Sequence, residues 1–150
     1  MRGRWIILTS WITGIVFLVT AAPAALGVES FDAVAVVTTL VLFFASFAVW
    51  CAAFGMALVR NARGAEIAVS TLFLVEGGAP TAVRLHLYGA LTLSLAVATG
   101  TAVANPFGVM VPMVQLGLLG LWGAVYGQFP ERPESHPSTD GRKPGGRRGS

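Results

Sequence analysis

Glu76, Arg84 and His86 form the one constellation in this chain with chemical content, and Arg63 and Glu66 lie within reach of it in principle. Glu76 could pair with Arg84 while His86 carries or senses a proton, making a small polar pocket whose ionisation is tuned by its members. A plainer reading assigns the same residues to anchoring: Arg84 and Tyr88 at a helix end, Glu76 in a solvated turn, His86 facing lipid head groups. Only the way the chain folds around positions 76 to 86 can separate the two.

Other chemistries lack their residues. There is no HExxH, CxxC, GxGxxG or GxSxG pattern, so nothing points to metalloprotease, redox, nucleotide or serine-hydrolase chemistry. The single cysteine, Cys51, allows neither an intramolecular disulfide nor a cysteine metal cluster. It reads as a small buried or lipid-facing side chain. No enzyme activity, cofactor or metal is expected.

The elements that must position these residues are apolar helices. Mean hydropathy is +0.72 over 150 residues with only 11% charged, outside the range of a water-soluble chain of this size. No Asp, Glu, Lys or Arg occurs from Ile6 to Val28, from Ala33 to Val59, or from Leu87 to Phe129. An apolar run of about 18 residues or more is long enough to cross a hydrocarbon core of roughly 30 Å as a helix. The expected fold is all-α: a polytopic bundle of four transmembrane helices over residues 5–28, 31–59, 85–104 and 109–127, with a short interfacial or re-entrant segment from Ile67 to Val75. At about 1.5 Å per residue, those nine residues cover only about 14 Å.

Local signals place the ends. Ser30 is a good N-cap for the second span, with Asp32 where the helix dipole favours an anion. Arg60, Asn61, Arg63 and Gly64 end that span. Pro80 suits the first turn of the third, Asn105 to Gly108 read as a tight outer turn, and Pro112 falls in the first turn or so of the fourth. Arg2, Arg4 and the Arg60–Arg63 loop place both chain ends in the cytoplasm and Glu29 outside, as for a multi-pass protein of a bacterial inner membrane. A cleaved signal peptide is the competing reading of the first span, because Ala22-Pro23-Ala24 fits a small-x-small cleavage site. The apolar core is longer than such signals usually have.

Close packing drives helix association in lipid, so stripes of small residues mark packing faces. Gly117, Gly120, Gly123 and Gly127 share about a third of the fourth helix's circumference. Ala90, Ser94, Ala98 and Ala102 make a stripe on the third, and Ala45, Ala48, Ala52 and Gly55 one on the second. Thr38, Thr39, Ser46, Thr92, Ser94, Thr99, Thr101 and Gln115 are expected to bond their own helix backbone or a neighbour. No carboxylate, His or Lys lies near a span centre, which argues against a proton-coupled transporter. Residues 130–150 read as a disordered tail, where five basic residues against three acidic give +2.

Small multidrug exporters share the span count but carry a glutamate within their first membrane helix, where this chain has none before Glu29. The polar and aromatic pattern of fluoride channels is likewise missing. The chain resembles a group of uncharacterised small four-span membrane proteins of actinobacteria. The resemblance lies in Leu72-Phe73, Gly78-Ala79-Pro80, Val83-Arg84, His86-Leu87 and Gly89-Ala90-Leu91, then Val111-Pro112-Met113, Gly120-Leu121-Trp122-Gly123-Ala124 and Phe129-Pro130. It covers roughly the second half of the chain and implies no activity. The expected function is that of a non-enzymatic accessory, scaffold or assembly component, with a small oligomeric transporter or channel as the alternative. Expected partners are the lipid bilayer and other membrane proteins or further copies of the chain. The basic tail would reach anionic lipid, and no nucleic acid is expected.

Overall fold

The computed structural model describes residues 3–65, 67–75 and 79–129, so Glu76 and the tail from residue 130 lie outside the described residues. The chain is all-helical: α1 (Arg4–Ala25), α2 (Asp32–Ala62), the single turn α3 (Val69–Leu72), α4 (Thr81–Thr101) and α5 (Pro112–Tyr126). Two 3₁₀ turns, Glu29–Phe31 and Pro106–Met110, lead into α2 and α5. With those turns counted, four helices are long and apolar enough to cross a membrane, with mean hydropathies of 2.0, 2.3, 1.3 and 1.7.

The helix ends follow from local chemistry. Pro23 sits in the last turn of α1, and Gly27 then takes a left-handed φ of 83°. That conformation lets the Val28 amide bond the Pro23 carbonyl and the Gly27 amide bond that of Ala24. These two bonds are a Schellman closure of the helix end. Gly64 repeats the device after α2 at φ 94°, with Ala65 bonding Arg60 and Gly64 bonding Asn61. Ser30 does not cap α2. The Glu29–Phe31 turn precedes the helix, and its Phe31 amide bonds the Val28 carbonyl at 2.8 Å, so backbone replaces the expected hydroxyl. Asp32 does lie in the first turn, and α2 runs three residues past Val59. Pro80 stands just ahead of α4, its carbonyl accepting from Val83 and Arg84. Pro112 opens α5, where no amide is needed.

α5 is the centre of the bundle. Of its most apolar window 72% is buried, against 22% for α2, and from Val114 to Ala124 every residue but Leu116 is buried. α5 packs chiefly along α2, while α1 packs along α4. Ile6, Phe17, Leu87, Val111, Leu118 and Leu119 join these pairs in one core. The expected stripe on α4 turns inward at Ala90, Ser94 and Ala98. The stripe on α2 does not: Ala45, Ala48, Ala52 and Gly55 are exposed, and Ala35, Thr39, Leu42, Ser46, Ala53 and Ala57 face the core instead. Because α2 is apolar all round, its composition could not indicate which face turns inward.

Candidate site at the arginine end of the bundle

The start of α1, the end of α2, α3, the start of α4 and the end of α5 meet at one end of the bundle. Arg60 ties two of them, donating from Nη1 to the Ala124 carbonyl at 2.9 Å while its guanidinium lies 4.7 Å from the centre of the Phe129 ring. Trp5 Nε1 reaches the Tyr126 hydroxyl at 3.4 Å and ties α1 to α5. All four described arginines, Arg4, Arg60, Arg63 and Arg84, belong to this end. The two described acids, Glu29 and Asp32, belong to the other.

Between α2 and α4 the chain folds back onto the bundle as the expected short segment. Its anchor is Leu74, fully buried with φ 59°, a conformation that a residue with a Cβ rarely adopts. Leu74 occupies the position after α3 that glycine fills after α1 and α2: the Val75 amide bonds the Ser70 carbonyl and the Leu74 amide that of Thr71. From α4, the Tyr88 hydroxyl donates to the Phe73 carbonyl at 2.7 Å, and Arg84 Nη2 to the Val75 carbonyl at 3.4 Å. Arg84 therefore fastens the end of the segment.

His86 faces elsewhere. Two helical positions are about 200° apart, so Arg84 meets the segment while His86 meets α1. The His86 ring stands edge-on to Trp11 with centroids 6.5 Å apart. With Arg4, Trp5, Ile7, Leu8 and Trp11 it lines a groove of about 740 Å³. Of the three expected site residues, then, Arg84 and His86 serve separate contacts, and Glu76 lies outside the described residues.

The glycine stripe of α5 faces first α2 and then the short segment. A Cβ at Gly117 would lie 3.0 Å from Val49 and 3.1 Å from Trp50, and one at Gly120 would lie 3.4 Å from Phe73. At Gly123 it would overlap the Leu72 carbonyl, so α3 rests directly on this glycine. Gly127 closes the helix, its amide bonding the Gly123 carbonyl at 2.8 Å.

Two buried polar contacts were not legible as pairs. Gln115 of α5 accepts from the Ser10 hydroxyl and donates from Nε2 to the Ser10 carbonyl at 3.0 Å and to Thr13 Oγ1 at 2.9 Å. At the opposite end Asn105 Nδ2 donates to Thr39 Oγ1 at 3.0 Å. A lone glutamine in an apolar helix was the available signal; its partner 105 residues earlier was not. Among the described residues no group of three His, Cys, Asp or Glu side chains could hold a metal ion. In comparisons with known proteins the chain matches no family model, no curated protein and no solved structure.

Proposed function

We propose that this chain is a multi-pass protein of a bacterial cell membrane that acts without catalysis, by docking the outward face of α2 against another membrane helix. The observation that carries this reading is the exposed small-residue stripe. Ala45, Ala48, Ala52 and Gly55 lie along α2 with nothing within 4 Å of a Cβ at Gly55, so another helix backbone could approach closely there. Phe44, Phe47 and Phe54 stand exposed on the same helix. Such an apolar exterior is costly in water and favourable in lipid. Arg4, Arg60, Arg63 and Arg84 at one end support a cytoplasmic location for the start of α1 and the end of α5.

Cys51, exposed on α2 beside the stripe, is a built-in reporter. Oxidative cross-linking in native membranes should capture a defined partner or a second copy through Cys51, and Ala48→Leu with Gly55→Leu should abolish it. The same variants should melt like the parent in detergent, since neither position packs inside the chain. Cross-linking that survives both substitutions would refute the docking face.

A further inference from the structure

The groove between α1 and α4 combines two kinds of lining. Arg4 and His86 supply polar cationic or hydrogen-bonding groups, and Trp5, Ile7, Leu8 and Trp11 supply apolar walls. Gly89, one turn beyond His86, faces the Trp11 ring, which lies at ordinary contact distance, 3.6 Å, from where a Cβ would stand. Beyond Leu8 the apolar wall continues along the exposed side of α1 through Ile12, Ile15 and Val19. The polar groups sit at the arginine end and the apolar path runs away from it, toward the middle of the bundle.

We propose that this groove is a binding site for one anionic phospholipid, its phosphate against Arg4 and His86 and an acyl chain along the α1 wall. This rests on the membrane reading above. Three observations select the occupant. The charged side chain that lines the groove, Arg4, is a cation, so an anionic head group is complementary. Two tryptophans, Trp5 and Trp11, border the groove in the part of α1 that lies at the arginine end, and amphipathic rings of this kind favour a head-group region. A volume of about 740 Å³ suits an acyl chain with its phosphate better than a bare anion.

The test uses the full chain in detergent micelles doped with equal phosphatidylglycerol and phosphatidylcholine, read by native mass spectrometry. The parent should retain phosphatidylglycerol in preference, and Arg4→Gln with His86→Gln should lower that preference about fivefold or more. Arg63→Gln removes one arginine outside the groove and should leave the preference within about twofold. If the double variant folds poorly, brominated acyl chains on the unsubstituted protein decide: tryptophan quenching should be stronger with brominated phosphatidylglycerol than with brominated phosphatidylcholine. Equal retention of both lipids, or a preference that Arg63→Gln removes and the double variant keeps, would overturn the site. A chain released by alkaline carbonate without detergent would instead overturn the membrane reading itself.

Discussion

At Gly123 a single hydrogen atom is all that separates the α5 backbone from the Leu72 carbonyl, so a methyl group there has nowhere to go. Gly123→Ala should cost about 1–3 kcal/mol of stability in detergent, as overpacking of a filled site does. Gly55→Ala is the control: with open space around it, the better helix former should be neutral or stabilise by up to about 1 kcal/mol. Parallel thermal melts separate the two, and equal melting of both variants would show that α3 does not rest on Gly123. Gln115→Leu keeps the volume but leaves the buried Ser10 hydroxyl without its acceptor, while Thr13 Oγ1 keeps its bond to the Thr9 carbonyl, and should cost about 1 kcal/mol. A double-mutant cycle with Thr13→Val would assign the part of that loss belonging to the pair. Gly64 and Pro112 were legible in sequence because their roles are local, one at a left-handed stop and the other at a helix start. Leu74 was not: its left-handed backbone is tolerated because its side chain is fully buried, a tertiary cause that no short window contains.

The short segment between α2 and α4 is held from three sides, by Gly123 beneath it, by Tyr88 and by Arg84. Its existence could be read from the length of its apolar run, since nine residues are too few to cross. Its seat could not, because that depends on which helix offers a flat glycine face. Tyr88→Phe removes the donor to the Phe73 carbonyl while keeping the ring, so amide exchange across residues 67–75 should quicken several-fold with little change in the long helices. Arg84→Lys should behave similarly but more weakly, because one ammonium can still reach the Val75 carbonyl. Exchange that quickens equally everywhere would mean that these contacts hold the whole bundle rather than the segment. At this scale the stripes were half legible. Regular small residues revealed that faces exist on α2, α4 and α5, but only packing shows that two turn inward and the one on α2 outward.

Across the whole molecule, a closely packed α5 is wrapped by three helices whose outer surfaces are apolar, and among the described residues charge divides the two ends. On the function proposed above, this arrangement makes four membrane crossings with the arginine end in the cytoplasm. Impermeant thiol labelling of intact cells tests it most directly, with single cysteines placed in a Cys51→Ala background. Ser30 and Val103 are both exposed at the acidic end, and Ala62 is exposed at the end of α2. Cysteines at positions 30 and 103 should label without permeabilisation and one at position 62 only after it; labelling of position 62 in intact cells would contradict the account.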